Sequence, residues 1–282
     1  MYWKRVAVTG YKGRLGSELV LRGCLPLDCD VTSKISIKAA LSDVKPDLVI
    51  HCAAMTDVDR CEEYKDESLE INARGTENLK VCYEGKIIYL STDYVFDGKK
   101  GMYSEKDKPS DPNKLCWYGY TKLLGEELLG YNDTIIRTTM LYGSPMKMDF
   151  VTNILSKLEI GEPFEVTRAL WGTPTYVGHL ADAIVDLTNM YVGFDHVINI
   201  VGDTLLNRYE FALVIASFFG HGDQKKLISP TLKVGKTKRP RHAGLNTWKA
   251  RTLGLHIYSA LQGLEAFHNK NKNEYKQLRM EI

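Results

Sequence analysis

Short apolar runs, many of them β-branched, alternate along the first half of the chain with longer segments that carry apolar positions on one face. The runs predict strands at residues 4–9, 47–51, 86–91 and 134–138. The intervening segments predict helices at residues 14–22, 34–44 and 66–83, and from about 118 onward. Runs that are apolar throughout are typical of strands covered on both faces. The pattern therefore predicts an α/β fold with a doubly wound parallel sheet.

A glycine-rich turn directly follows the first predicted strand. The segment TGYKGRLG places Gly10, Gly13 and Gly16 three residues apart, between that strand and the first helix. In a dinucleotide site the first glycine makes the turn and the second lets the backbone approach the pyrophosphate. The third lets helix and strand pack closely. The pattern in this position predicts a Rossmann-type NAD(P) site.

The residues around this turn leave the choice between NADPH and NADH open. Asp30 lies 20 residues after Gly10, the usual offset of an acidic residue that approaches the adenosine ribose. Lys12 and Arg14, inside the turn, are cations that suit a 2′-phosphate instead. Only CLPL separates the first helix from Asp28, so the second strand is predicted to be very short.

The pattern becomes less regular after about residue 140. It predicts helices at residues 149–159, 178–191 and 207–219, a strand at 197–200 and a basic loop at 233–244. We expect residues 1–140 to form an NAD(P)-binding Rossmann domain. Residues 141–282 are expected to form mainly a smaller C-terminal substrate-binding part, interleaved with strands that return to the first sheet.

Composition and charge exclude several classes of protein for this chain of 282 residues. Hydrophobic residues make up 44% and charged residues 26%, which is typical of a globular protein. A formal net charge of +2 gives no overall field for a nucleic acid or an acidic membrane. No apolar run approaches the roughly 20 residues that span a bilayer. Six cysteines without a Cys-x-x-Cys pair argue against a disulfide scaffold or a zinc module and favour the reducing cytoplasm.

A Tyr-x-x-x-Lys pair, Tyr118 and Lys122, stands at the start of a predicted helix, where this spacing places both side chains on one face. Thr92 ends a predicted strand, at the sheet edge where open α/β folds bind their ligands. These three groups suit hydride transfer to a ketone. The phenol supplies the proton, the ammonium lowers its pKa from about 10, and the hydroxyl orients the carbonyl.

Longer segments around these residues resemble the dTDP-4-dehydrorhamnose reductases of the extended short-chain dehydrogenase/reductase superfamily. The resemblance is carried by the glycine turn and by DCDVT (28–32), KPDLVIHCAAMTDVDRCE (45–62), INARGTENL (71–79), STDYVFDG (91–98), YGYTKLLGE (118–126), IIRTTMLYG (135–143), GTPTYVGHLAD (172–182) and KRPRHAGLNT (238–247). It implies hydride transfer from NADPH or NADH to C4 of a nucleotide-linked 4-keto-6-deoxy sugar. The expected reaction converts dTDP-4-dehydro-L-rhamnose to dTDP-L-rhamnose.

The resemblance also implies roles for individual residues. Thr92, Tyr118 and Lys122 are the expected catalytic set, and Lys122 also holds the nicotinamide ribose. The expected cofactor-binding residues are Gly10, Lys12, Gly13, Arg14, Leu15, Gly16, Asp30, Val31, Cys52, Ala53, Ala54, Thr56, Tyr118 and Lys122. The expected substrate-binding residues are Thr92, Asp93, Tyr94, Met140 and Arg239, with Arg241 as an alternative to Arg239.

Two positions bear on which reaction of this superfamily the chain catalyses. Tyr94 stands where 4,6-dehydratases carry a glutamate, which favours a simple reductase. Met140 stands where the reductases usually carry a tryptophan that packs on the sugar, so the sugar specificity is left open.

Two other functions stay open. One is a regulatory NADP-binding homologue similar to the β subunit of methionine adenosyltransferase, and the other is a reductase or epimerase of UDP- or GDP-sugars. The expected partner is a nucleotide-sugar substrate in the cytoplasm, with no nucleic acid, no membrane and no metal site. A homodimer is left open.

Overall fold

Strands and helices alternate through the first half of the chain, as the apolar pattern predicts. The computed structural model describes residues 3–143, 148–190 and 196–278, with side chains up to Asn271. The strands are β1 (Val6–Thr9), β2 (Leu25–Pro26), β3 (Leu48–His51), β4 (Lys86–Thr92), β5 (Thr134–Thr138), β6 (Leu141–Tyr142), β7 (Phe164–Thr167), β8 (Trp171–Gly172), β9 (Thr175–Tyr176), β10 (Val197–Asn199), β11 (Leu206–Asn207) and β12 (Ile228–Thr231). The helices are α1 (Arg14–Leu21), α2 (Lys34–Val44), α3 (Val58–Glu63), α4 (Lys65–Leu69), α5 (Gly75–Cys82), α6 (Trp117–Glu127), α7 (Phe150–Ile160), α8 (Val177–Asn189), α9 (Arg208–Phe218), α10 (Trp248–Thr252) and α11 (Ala260–Leu278).

The central sheet is parallel throughout and has the strand order β10-β5-β4-β3-β1-β2 within the described residues. Successive side chains of each strand enter different cores, because a strand has a period of two. Ala7 of β1 belongs to the core on the side of α2 and α5, whereas Val8 belongs to the core that contains α1, α8 and α9. Both faces of the sheet are therefore covered, and the predicted doubly wound α/β fold is confirmed.

The strand order reverses at β1, and this reversal positions the site. From the two-residue strand β2, the chain returns through α2 to β3 on the opposite side of β1. Ligands of open α/β sheets bind in the crevice outside the carboxyl ends of the strands at such a point. The glycine turn after β1 and the ends of β3 and β4 consequently lie at the same edge.

Later segments extend the fold in ways that the pattern predicts only in part. The predicted strand near residue 197 is β10, which pairs with β5 so that Ile198 lies beside Ile136. Helices α3, α10 and α11 and the short strands β6 to β9, β11 and β12 are not predicted. They are short or have a polar composition, and tertiary contacts decide their conformation. Among the described residues, no helix combines the length and the apolar character that crossing a bilayer requires.

The helix predicted at residues 66–83 contains a π-helical turn at Glu70–Arg74, between α4 and α5. This turn contains Asn72, whose side chain points into the protein. Its Nδ2 donates to the Met55 carbonyl at 3.1 Å and to Thr121 Oγ1 at 3.0 Å, and its Oδ1 accepts from Met55 N at 2.8 Å. Single π turns often occur at functional sites. Here the turn fixes the loop after β3 against α6.

Candidate active site

The glycine turn is built from close backbone contacts. Gly10 has a φ of +63°, and a Cβ there would lie 2.7 Å from the backbone nitrogen of Ala53. A Cβ on Gly16 would lie 2.3 Å from the carbonyl oxygen of Gly10. The amide of Gly13 donates to the same carbonyl at 2.8 Å. Since the obstructing atoms belong to the backbone, only glycine fits at positions 10 and 16 without moving the turn.

The amino end of α1 faces the cavity beside this turn and suits an anion. Its N-cap, Gly13, provides no side-chain hydrogen bond, and its first turn carries no acidic residue. The guanidinium of Arg14 donates from Nη2 to the Met148 carbonyl at 2.6 Å, while its Nε is buried without a hydrogen-bond partner. Backbone N–H groups at a helix start, together with a cation, bind phosphate. The residues present therefore fit the pyrophosphate of a dinucleotide.

One cavity of about 440 Å³ extends from the glycine turn to the C-terminal half of the chain. This volume is within the range of small-molecule sites. Its wall includes the sequence-predicted residues Gly10, Gly13, Arg14, Leu15, Gly16, Cys52, Ala54, Thr56, Thr92, Asp93, Tyr94, Tyr118, Lys122 and Met140. The structure thus brings together most of the predicted cofactor residues and all of the predicted catalytic residues, from the glycine turn, α1, the loop after β3, the end of β4 and α6.

Five other predicted residues are outside that wall: Lys12, Asp30, Val31, Ala53 and Arg239. Lys12 is exposed and interacts with Tyr11 and Asp28, which raise its pKa. Asp30 Oδ1 accepts from the amide and the hydroxyl of Thr32, at 2.9 and 2.7 Å, and these bonds lower its pKa.

Thr92 and Tyr118 both contribute to the cavity wall. Thr92 ends β4, and Tyr118 is in the first turn of α6. Burial raises the pKa of Tyr118 above its usual value, and the nearby Thr92 hydroxyl opposes this rise. The direction is opposite to the expected lowering by Lys122. At neutral pH the phenol is therefore protonated in this structure.

Lys122 is buried one helical turn after Tyr118. Its Nζ lies 3.9 Å from the centroid of the Tyr89 ring. Burial lowers the pKa of Lys122 to about 7, and the Glu126 carboxylate and the Cys52 thiol oppose that change. The ammonium faces an aromatic ring, which provides favourable electrostatics for a cation.

Asp93 is buried, with 2% of its surface exposed, and its carboxyl binds two threonines. Thr92 Oγ1 donates to Oδ1 at 3.1 Å, and Thr139 Oγ1 donates to Oδ2 at 2.6 Å. Burial raises the pKa of Asp93 to about 7, and these hydrogen bonds oppose the rise. Next to it, burial raises the pKa of Tyr94 to about 12. The sequence predicts Asp93 near the sugar, whereas the structure shows that both of its oxygens are occupied by hydroxyl groups.

Met140 has a left-handed backbone, with a φ of +47°. Such a conformation is uncommon outside glycine and indicates a local constraint. Its side chain packs on Gly172, where a Cβ would lie 2.6 Å from the Met140 sulfur. The neighbouring Trp171 also contributes to the cavity wall. An aromatic surface is therefore present in the site, but it comes from β8 rather than from position 140.

Arg239 connects the C-terminal basic loop to the first half of the chain. Its Nη2 forms an ion pair with Asp59 Oδ2 at 2.8 Å, and its positive charge opposes the rise in the pKa of Tyr94. Pro240, the next residue, contributes to the cavity wall. Arg239 is thus adjacent in sequence to a wall residue but is not part of the wall itself.

Several residues of the wall are not predicted from the sequence: Val58, Leu90, Ser91, Thr138, Thr139, Leu141, Leu170, Trp171, Arg208, Pro240 and Ala243. Those from the C-terminal half have no spacing pattern that connects them to the glycine turn. Ser91, Thr138 and Thr139 of the first half do have a signal, because each ends or directly follows a predicted strand and a polar residue there faces the ligand edge.

Comparison with known proteins identifies the family. The sequence model of the family described as the RmlD substrate binding domain matches residues 4–272 of this chain. The chain belongs to this family. Its resemblance to dTDP-4-dehydrorhamnose reductases is thereby confirmed at the level of the family.

Three proteins that are similar to this chain have different names. The spore coat polysaccharide biosynthesis protein SpsK of Bacillus subtilis is 32% identical over 260 residues, which cover 85% of this chain and 87% of the relative. The methionine adenosyltransferase 2 β subunit of Xenopus tropicalis is 30% identical over 233 residues, which cover 78% of this chain and 69% of the relative. The crystal structure of dTDP-4-dehydrorhamnose reductase from Bacillus anthracis, in complex with NADP, superimposes with a TM-score of 0.85 at 29% identity. The superposition covers 94% of this chain and 99% of the reductase.

Proposed function

We propose that this chain is an NAD(P)-dependent reductase that reduces the C4 ketone of a nucleotide-linked 4-keto-6-deoxy sugar. The substrate we propose is dTDP-4-dehydro-L-rhamnose, and the product is dTDP-L-rhamnose. The observation that carries the proposal is a single cavity with the glycine turn at one end and Thr92, Tyr118 and Lys122 on its wall. A reductase of this name that was solved with NADP is similar over nearly its whole length.

The proposed reaction adds a hydride to C4 and a proton to its oxygen, and it yields an alcohol. NADPH or NADH, when bound, supplies the hydride. Tyr118 donates the proton, which is available because burial keeps the phenol protonated. Thr92 donates a hydrogen bond to the same oxygen as negative charge develops there. Lys122 holds the nicotinamide ribose, and its ammonium stabilises the phenolate until a solvent proton replaces the one transferred.

The other site assignments are part of the same proposal. Gly10, Gly13, Gly16, Leu15 and Arg14 hold the pyrophosphate region, and Cys52, Ala53, Ala54 and Thr56 lie along the cofactor. Lys12, Asp30 and Val31 lie toward the adenosine end. Tyr94, Asp93, Met140 and Arg239 surround the sugar nucleotide. Arg208 and Trp171, which are also in the wall, extend the substrate side.

The test is consumption of NADPH and NADH by the purified protein with dTDP- and UDP-linked 4-keto-6-deoxyhexoses, followed by product analysis. We expect turnover with the dTDP-linked substrate and formation of the 4-hydroxy product. Cofactor binding without turnover on any of these ketones would contradict the proposal.

A regulatory function is the second candidate, and one comparison favours it. The β subunit of methionine adenosyltransferase 2 is similar to most of this chain. A regulatory homologue would bind NADP, co-purify with a partner enzyme and leave keto sugars unreduced. The intact Thr92, Tyr118 and Lys122 favour the reductase. An epimerase of UDP- or GDP-sugars would instead retain its cofactor without net turnover.

The organisation of the protein completes the proposal. We propose that residues 1–140 form the NAD(P)-binding domain and that residues 141–282 form mainly the substrate-binding part. The pairing of β10 with β5 supports an interleaved boundary. The cytoplasm is the proposed compartment, supported by six free cysteines. A homodimer is also proposed, and the molar mass in solution tests it.

A further inference from the structure

The hydroxyl of Thr92 has one proton, and two groups can accept a hydrogen bond from it. The substrate carbonyl needs this proton as a hydrogen bond in the proposed reaction. In the structure the carboxyl oxygen Oδ1 of Asp93 lies 3.1 Å from Thr92 Oγ1 and accepts the proton. Thr92 Oγ1 also accepts from the Tyr94 amide at 3.2 Å. A hydroxyl has one donor and two acceptor positions, so one further acceptor position is free for Asp93.

The second oxygen of Asp93 fixes the carboxyl in this arrangement. Thr139 Oγ1 donates to Oδ2 at 2.6 Å, and both partners are at most 5% exposed. Oδ1 therefore keeps facing Thr92 whether Asp93 is an acid or a carboxylate. As an acid, Asp93 donates to Thr92. As a carboxylate, it can only accept from Thr92.

From this geometry, and on the basis of the proposed reductase function, we propose that Asp93 is a positioning residue that acts through Thr92. Protonated Asp93 donates to Thr92 Oγ1 and releases the Thr92 proton for the carbonyl oxygen at C4. Ionised Asp93 takes that proton itself and leaves the carbonyl without it. The proton on Asp93 is not consumed in the reaction.

The surroundings of Asp93 allow both states near neutral pH. Burial raises the pKa of Asp93 to about 7. Thr139 and Thr92 oppose the rise through their hydrogen bonds, and the positive charge of Arg208 in α9 opposes it as well. The phenols of Tyr94 and of Tyr118 in α6 face the same carboxyl and have raised pKa values.

The first test compares the pH dependence of kcat for the wild type and Asp93→Asn. An asparagine that accepts from Thr139 donates to Thr92 at every pH, as the protonated acid does. We expect kcat of the wild type to fall above about pH 7 by about ten-fold or more, the scale of one hydrogen bond to a charged group. In Asp93→Asn the part of this decrease in kcat that depends on Asp93 should be absent. An unchanged profile would overturn the proposal.

Lys122 also titrates near pH 7, so a second variant pair isolates the action of Asp93 through Thr92. In a Thr92→Ala background, adding Asp93→Asn should change neither kcat nor its pH profile. A residue in the same network shows such non-additivity, whereas independent residues do not. An Asp93→Asn effect that persists without the Thr92 hydroxyl would show that Asp93 acts by another route.

Thr139→Val tests the proposal with Asp93 still in place. This test can be made even if the Asp93→Asn variant does not fold. Valine removes the donor to Oδ2, so the carboxylate is less stabilised. The Asp93-dependent inflection should move to higher pH. A shift to lower pH, or none, would contradict the proposed role.

Infrared spectroscopy separates this inference from the proposed function. The difference spectrum of wild type minus Asp93→Asn, without a sugar, should show a protonated carboxyl band at acidic pH that disappears near neutrality. Its absence throughout would overturn the inference whatever the protein reduces. The expected band together with no reduction of any keto sugar would remove the proposed function and the substrate-directed half of the inference.

Discussion

Glu126 of helix α6 and Arg137 of strand β5 form a buried ion pair. Arg137 Nε donates to Glu126 Oε1 at 2.9 Å, Nη2 donates to Oε2 at 2.6 Å, and the two side chains are 4% and 5% exposed. Ser91 of β4 donates to the same carboxylate. Glu126 lies one turn after Lys122 and opposes the lowering of its pKa. The pair therefore connects β4 and β5 to the helix that carries Tyr118.

Removing one partner of this pair should destabilise the fold strongly. Glu126→Ala leaves the Arg137 guanidinium buried without a counter-ion, and we expect a loss of about 3–5 kcal/mol in the free energy of unfolding. Urea denaturation measures this. The control is Glu67→Ala, whose ion pair with Arg60 has side chains 46% and 56% exposed and should be worth less than about 1 kcal/mol. Equal losses in the two variants would contradict the prediction.

Tyr118→Phe should lower kcat by about two to four orders of magnitude, because a general acid contributes on that scale. NADPH binding should persist, since the glycine turn is unchanged. Steady-state kinetics and cofactor fluorescence measure the two effects. Tyr120→Phe is the matched control, because Tyr120 lies on the same helix, packs on Trp117 and is outside the cavity wall. Near-normal turnover in Tyr118→Phe would remove this phenol from the mechanism.

Arg14 and Lys12 should affect the two cofactors differently. Arg14→Ala removes a cation beside the pyrophosphate region and should weaken NADPH and NADH alike, by about ten-fold or more. Lys12→Ala should weaken NADPH and leave NADH unchanged, because only NADPH has a 2′-phosphate. Titration of cofactor fluorescence measures both. Lys38→Ala, an exposed residue of α2, provides the control. If Lys12→Ala weakened the binding of NADPH and NADH equally, Lys12 would have no role at the 2′-phosphate.

Gly16→Ala should disrupt the cofactor turn. The new Cβ would lie 2.3 Å from the Gly10 carbonyl oxygen and 2.6 Å from the Tyr11 Cα, both backbone atoms. We expect loss of NADPH binding and a destabilisation of about 1–3 kcal/mol, as in overpacked interiors. Gly130→Ala, where no atom lies within 4 Å of the added Cβ, should bind NADPH normally. Normal NADPH affinity in Gly16→Ala would show that the turn relaxes at little cost.

The raised pKa of Asp93 predicts a pH dependence of stability. Its pKa is about 7 in the folded protein and 3.8 as the ordinary value, so between these values only the folded state binds the proton. The contribution of Asp93 to stability is therefore full below about pH 4 and is lost as the pH rises to about 7. At most it amounts to about 4 kcal/mol. Urea unfolding of the wild type and Asp93→Asn should show a stability difference that changes over this interval and is constant above it.

The sequence by itself determined the elements that depend on local pattern. The boundaries of α2 and β5 match the predicted ones, because apolar periodicity and an N-cap serine define the helix and a run of mostly β-branched residues defines the strand. The spacing of Gly10, Gly13 and Gly16 likewise predicts their place in the cavity wall. Such features require only neighbours along the chain, and periodicity records those neighbours directly.

Only the tertiary structure decided the contacts between distant segments. Trp171, Arg208 and Pro240 reach the cavity from the C-terminal half, and no spacing relates them to Thr92. The pKa values of Tyr118 and Lys122 follow from burial, which depends on what packs over them, and the direction for Tyr118 is opposite to the one expected from its neighbour in sequence. Desolvation and long-range hydrogen bonds arise when segments that are distant in sequence pack together, and the local sequence pattern does not predict which segments do so.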